Sequence, residues 1–174
     1  MTQALHWLTA VLVLIAFVYG PGGPEQHVYA ASRDFDRQLH ETLGLSVFFL
    51  TLLRLVWRLA DRRPAPLPMA RWMRLSSKAV QGLLYLLLFA VPLSAISGAW
   101  LEGHPLTLLA GVQVAPAIAA SHATGETIAE IHGWLGDAIL WLAGLHAAAA
   151  LLHHHLFRDR VLVAMLPGWM AKSR

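Results

Sequence analysis

Apolar residues gather into four long runs, at about residues 4–20, 39–60, 79–101 and 128–157, separated by short polar or proline-rich stretches. Within each run the apolar positions are nearly continuous. They neither alternate with period two nor break every few residues. Each run approaches the ~20 residues a helix needs to cross a bilayer, the first being the shortest. Backbone groups in hydrocarbon must bond within their own segment, so the pattern predicts spanning helices. A membrane β-barrel would alternate polar and apolar positions, and these runs do not. The expected fold is an all-α, integral membrane four-helix bundle forming one domain over residues 1–174.

Composition agrees. Of 174 residues, 57% are hydrophobic and 13% charged, and the mean hydropathy is +0.54. Water-soluble domains carry about 25% charged residues, so part of the solvent here must be lipid. The first run does not read as a cleaved signal peptide. "MTQALH" has no basic residue, and no small-residue cleavage site precedes "YGPGG".

Charge gives the bundle a direction. Arg54, Arg58, Arg62, Arg63, Arg71, Arg74 and Lys78 crowd the second connection, and Arg158, Arg160, Lys172 and Arg174 follow the fourth run. Only Arg33 and Arg37 lie on the other side, offset by Glu25, Asp34 and Asp36. The positive-inside rule makes the basic side cytoplasmic, with both termini there. The basic pI needs no nucleic-acid partner; it reflects this asymmetry and contact with anionic lipid.

"RRPAPLPMARWMR" reads as a proline-rich linker, and "GPGGPEQHVYAASRDFDRQ" as an outer loop. The third connection, about residues 102–127, is long enough to carry a short interfacial helix or to cover a site. Pro92 falls in the middle of the third run, where it is expected to kink the helix.

Four histidines sit inside or at the ends of the apolar runs: His6, His40, His132 and His146. His132 and His146 are fourteen residues apart. At ~100° per residue that is about 40° short of four turns, so both lie on one helix face, about 21 Å apart. On the predicted topology the four sort by depth. His6 pairs with His146 near the inner surface, and His40 pairs with His132 near the outer one. Two facing imidazoles at one depth are what axial ligation of a porphyrin iron needs. Small residues follow each histidine by one turn, at Ala10, Gly44, Gly136 and Ala150, leaving room for a flat macrocycle. Arg54 lies fourteen residues after His40 and shares its face at the inner depth. There it can pair a haem propionate or snorkel to the interface.

Other readings of these histidines remain. Imidazole also suits zinc and other metals, so a histidine-based metal-ion transporter is a rival. Such a pathway needs carboxylates beside the histidines, and only Asp137 is deep in a helix, with Glu41 and Glu130 near the ends. A purely structural role for the histidines is the other. His153, His154 and His155 form an ordinary interfacial cluster or a run able to relay protons or touch a quinone. Asp137 is a functional candidate as an intramembrane acid, or is hydrogen-bonded to a tryptophan or backbone partner. There is no cysteine, which excludes iron–sulfur ligation, thiolate ligands and covalent haem attachment.

The stretches "ALHWLTAVLVL", "LHETLGLSVFFLTLLRLVWRL", "LLYLLLFAVPLSAISG" and "IHGWLGDAILWLAGLHAAAALLHHHLFRD" resemble the bacterial dihaem cytochrome b561 family, related to the cytochrome b subunits of membrane hydrogenases and formate dehydrogenases. The resemblance covers most of all four helices, in order. It implies two b haems per chain, ligated by His6, His40, His132 and His146. It also implies a multi-pass protein of the bacterial inner membrane that exchanges electrons with quinone. In its nearest branch the donor is superoxide; other relatives serve a partner dehydrogenase as haem-b membrane anchors. Two departures stand out. Gln81 and Gly82 occupy a neighbourhood where relatives often carry a histidine, and His6 lies only a turn or two from the first residue.

Overall fold

Lipid-facing helices keep their apolar side chains outside, so this fold is built on backbone order and thin internal contacts. The computed structural model describes residues 2–20, 28–60, 70–156, 158 and 161–166. Its elements are α1 (Thr2–Val18), α2 (Asp34–Ala60), α3 (Arg71–Leu101), β1 (Leu106–Thr107), β2 (Gln113–Val114), α4 (His122–His155) and α5 (Val161–Met165). Three helical stretches, Ala31–Ala60, Arg71–Leu101 and His122–His155, are long and apolar enough to cross a membrane. With 17 residues, α1 extends only about 26 Å, just under the ~30 Å of a bilayer's hydrocarbon. Residues 62–69 of the proline-rich linker lie outside the described residues, and its last four, Arg71–Arg74, open α3.

The helices differ from the expected ranges at their ends. α2 begins at Asp34 rather than near 39, and α3 at Arg71 rather than 79. α4 runs from His122 to His155 rather than 128 to 157. The added turns are polar, so hydropathy does not register them, and in α2 their chemistry favours helix. Asp34 and Asp36 lie in the first turn of α2, where negative charge complements the helix dipole. Arg37 bonds Asp34 at 2.9 Å and Glu41 at 3.2 Å along the same face. At the other end of the error, α1 stops at Val18 rather than 20. Tyr19 and Gly20 precede Pro21, which disfavours the helical region for the residue before it.

α1 packs on α2, α2 on α3 and α3 on α4. At mid-depth Val47, Leu88 and Ile139 form the buried core, with Leu12, Val13, Leu84, Leu87 and Val91 against it. α3 and α4 approach closely near the outer end. A side-chain carbon at Gly98 would lie 3.4 Å from the Ala129 backbone nitrogen, and one at Gly125 would meet the Glu102 backbone nitrogen at 2.9 Å. α3 is one continuous helix through the buried Pro92.

The third connection carries a hairpin rather than the short interfacial helix that was one of its two expected forms. β1 and β2 make a small antiparallel hairpin, Leu106 opposite Val114. Gly111 turns it with φ of +75°, a conformation that suits glycine. The hairpin docks on α2: the Thr107 N–H donates to the Glu41 carboxylate, and the Leu109 N–H donates to the Thr42 hydroxyl at 2.9 Å.

The Gly125 contact is with backbone and cannot be relieved by a rotamer change. Gly125→Ala is expected to destabilise the fold by about 1–3 kcal/mol, the usual cost of overpacking. Thermal unfolding of the detergent-solubilised protein measures it; an unchanged midpoint would mean that α3 and α4 separate freely there.

Candidate haem sites

The structure brings the four predicted histidines together as two pairs. The His40 and His132 ring centres are 6.0 Å apart, and those of His6 and His146 are 6.5 Å apart. An imidazole nitrogen bonds a metal at about 2 Å, so two rings facing across one iron have centres roughly 6 Å apart. Both separations suit one iron between each pair.

The His40–His132 pair is held by main-chain carbonyls. His40 Nδ1 lies 2.7 Å from the Ala16 carbonyl oxygen. Ala16 is in the last turn of α1, where carbonyls lack an intrahelical partner, so His40 satisfies an orphan acceptor. His132 Nδ1 lies 2.9 Å from the Val91 carbonyl oxygen, one residue before Pro92. The Ser94 hydroxyl donates to that carbonyl at 2.8 Å and stands 3.3 Å from the same ring nitrogen. A carbonyl oxygen only accepts, so in the neutral imidazole the proton must sit on Nδ1. The Nε2 lone pair of each ring is therefore free for a metal.

Both rings line a largely apolar cavity, open on one side. Gly44 and Gly136 also line it, and a side-chain carbon at either would meet nothing within 4 Å. The open space lies where two small residues, each one turn after a histidine, were expected to admit a macrocycle. Leu106 of the hairpin closes part of the wall. Gly20 is tight instead: a side-chain carbon there would sit 3.3 Å from the His40 ring. Neither Ala16, Gly20, Val91 nor Ser94 was singled out in the sequence, because a backbone acceptor leaves no residue-type signal.

At the His6–His146 pair, His6 packs edge-on to Trp7, ring centres 5.4 Å apart. Trp7 donates to the Met165 carbonyl at 2.8 Å and Gln3 to the Ala164 carbonyl at 2.8 Å, so α5 returns to the start of α1. Arg54 and Arg58 both lie over the Tyr85 ring, at 5.5 and 5.6 Å from its centre, a favourable cation–π geometry. The Arg54 charge reaches both His6 and His146. Arg54 Nε, Trp57 Nε1 and the Tyr85 hydroxyl are shielded and have no hydrogen-bond partner among the described residues. Buried donors in native proteins are nearly always satisfied, so this end lacks an acceptor. A propionate carboxylate fits that need.

At the outer rim, Tyr29 stacks on His104 with ring centres 3.6 Å apart, and Arg37 lies over the same tyrosine at 5.4 Å. Burial, and then the Glu102 and Glu41 carboxylates, push the Tyr29 phenol up to about 12, so it stays protonated at neutral pH. His153 and His154 are half-buried at the inner end of α4, and His27 lies outside the described residues. No group of three or more His, Cys, Asp or Glu able to hold a bare metal ion occurs among the described residues. Paired imidazoles without carboxylates suit a porphyrin iron, whose other ligands come from the macrocycle, better than a bare cation.

Comparison with known proteins agrees with this chemistry. Residues 1–168 match the family model for prokaryotic cytochrome b561. The chain is 30% identical over 166 residues to cytochrome b561 homolog 2 of Escherichia coli K12, covering 95% of this chain and 88% of that protein. It is 27% identical to the probable superoxide oxidase CybB of Yersinia pestis, covering 94% and 92%. It is also 30% identical to cytochrome b562 of Cereibacter sphaeroides, covering 93% and 90%. Its apolar helices, its paired histidines and these matches together place the chain in the prokaryotic cytochrome b561 family, membrane cytochromes of electron transport that bind b-type haem.

Proposed function

We propose that this chain is a dihaem cytochrome that moves electrons within or across the bacterial inner membrane, to or from quinone. The observation that carries the reading is the sorting of four histidines into two facing pairs at two depths, with α4 contributing one ring to each. On this reading all four long helices cross the bilayer with both termini cytoplasmic. Modest thinning of the bilayer or snorkelling of end residues accommodates the shorter α1. His40 and His132 would hold the outer haem and His6 and His146 the inner one.

The haems supply one-electron chemistry when bound. The protein's own contribution is electrostatic and positional. Ala16 and Val91 fix the tautomer and ring orientation of the outer histidines. Gly44 and Gly136 keep the macrocycle's place clear. Arg54 would pair an inner propionate, and its positive charge favours the reduced iron.

Superoxide is one donor suggested by the relative from Yersinia pestis, itself described as a probable superoxide oxidase. A partner dehydrogenase is the alternative, with this chain as its haem-bearing anchor. The short connections favour a protein that acts alone, because an anchor needs a broad docking surface.

Four substitutions test the assignment. His40→Ala and His132→Ala are each expected to lose one and the same haem, and His6→Ala and His146→Ala the other. Haem per chain and the reduced-minus-oxidised spectrum report this; any other grouping overturns the topology. Gly136→Leu fills the outer cavity and is expected to reproduce the His132→Ala spectrum. Arg54→Gln is expected to lower the midpoint potential of the inner haem alone, read by spectroelectrochemical titration.

The donor can be probed through charge. On the outer face Arg33 and Arg37 face Asp34, Asp36, Glu41, Glu102 and Glu126, and Arg37 is already engaged by Asp34 and Glu41. An anionic donor is repelled by such a field, and salt screens the repulsion. Quinone reduction driven by superoxide is therefore expected to speed up several-fold from low to physiological ionic strength. A rate that falls with salt would show that the outer centre does not feel a negative field.

A further inference from the structure

α4 has a second chemical face. His132 and His146 share one side, and Asp137, five residues after His132, is turned about 140° from it. Asp137 sits about 7.5 Å deeper than His132 and about 13.5 Å short of His146, close to the middle of the helix. It is exposed, and among the described residues it makes no hydrogen bond or ion pair. In a membrane this exposure is to hydrocarbon. Ionisable residues there almost always face a partner or a water-filled space. An aspartate is also too short to carry its carboxyl to the headgroups, unlike the long stems of lysine and arginine.

The neighbours on that face indicate what covers it. Trp134 and Trp141 flank Asp137 one turn to either side and are 66% and 76% exposed. Neither indole N–H has an acceptor among the described residues. Tryptophans outside the headgroup belts expose a donor to hydrocarbon. Gly133 and Gly144 share the face, with nothing within 4 Å of a side-chain carbon built on either, and Ala148 is exposed on it too. Small positions beside bulky ones let membrane helices approach closely.

The missing partner must bring hydrogen-bond donors to mid-depth. A second copy inserts with the same orientation, so a two-fold axis along the membrane normal brings the same face to the same depth. Each Asp137 carboxyl then meets the indoles at positions 134 and 141 of the other copy, within one turn of its own level. Acceptor and donors are supplied by one surface to itself. We propose that the Trp134–Asp137–Trp141 face of α4 is the seam of a two-fold dimer, in which each Asp137 accepts indole N–H bonds from the other copy. The seam lies opposite the histidine face, so it stands apart from the haem assignment.

The chain has no cysteine, which makes single-cysteine cross-linking clean. The holoprotein carrying Ala148→Cys, on the seam, is to be oxidised in native membranes beside one carrying Leu86→Cys. Leu86 is 63% exposed on α3 but away from the seam. Dimer is expected from the first and not the second. Adding Asp137→Leu should cut the cross-linked fraction several-fold, whereas Asp137→Asn, which keeps an acceptor, should preserve most of it. Trp141→Phe, removing one donor and little volume, should weaken it as well. The haem spectrum of each variant reports folding independently. Equal cross-linking at both cysteines, indifference to Asp137→Leu and Trp141→Phe in folded protein, or capture of a different membrane subunit at Ala148→Cys would each overturn the dimer.

Discussion

An imidazole held in hydrocarbon must satisfy both ring nitrogens, and the half of this molecule around His40 and His132 is arranged around that requirement. His40 and His132 each spend Nδ1 on a main-chain carbonyl. That choice settles the tautomer and aims Nε2 into the cavity. Ala16 stands in the last turn of α1, where the helix cannot satisfy its own acceptors. Val91 lies inside α3, and its carbonyl takes the Ser94 hydroxyl as well as the His132 ring. The end of one helix and a carbonyl within another thus anchor imidazoles on α2 and α4. Moving either carbonyl would leave a buried donor unpaired and a ring free to rotate, which is costly in a low-dielectric site.

The thin core follows from the same solvent. In water a bundle of this size would bury a broad apolar seam. Here Val47, Leu88 and Ile139 suffice at mid-depth, because lipid accepts the remaining apolar side chains without penalty. Helix association then rests on close packing and polar bonds rather than on hydrophobic exclusion. Gly98 and Gly125 bring α3 and α4 together, and the hairpin ties α2 to the outer loop through Glu41 and Thr42. Between these contacts the structure leaves space beside the histidines, where a cofactor can join the core.

Much of this was readable from residue type and spacing. His132 and His146 share a face because fourteen residues nearly complete four turns, and depth alone matched them with His40 and His6. Gly44 and Gly136 were visible as small residues one turn on. Hydropathy located the helices but not their ends, since the opening turns of α2, α3 and α4 are polar, and in α2 ion pairs and acidic residues at the helix start, which a hydropathy scale does not count, stabilise them. The acceptors Ala16 and Val91 were hidden because a backbone carbonyl is common to every residue. The Tyr29–His104 stack joins loops that are far apart in sequence, and no local pattern announces it. Asp137 was legible as an intramembrane acid, but the direction it faces emerged only with the packing of α4.

That direction gives α4 two roles on two sides. Ligands for a cofactor need a rigid helix with a fixed rotation about its axis. On the histidine side rotation is fixed from within: His132 is tied to α3 through Val91, and His146 faces His6 of α1. Those contacts also dictate where every other residue of α4 must point, so Asp137 has no freedom to turn inward. A carboxyl in that position is costly for an isolated chain, yet turning it inward would rotate α4 by about 140° and pull both imidazoles off their axes. The physical conflict is therefore resolved from outside, by a surface that brings donors to the acid. The same rotation that holds the histidines in place turns Asp137 outward, onto the face proposed as the seam between two copies.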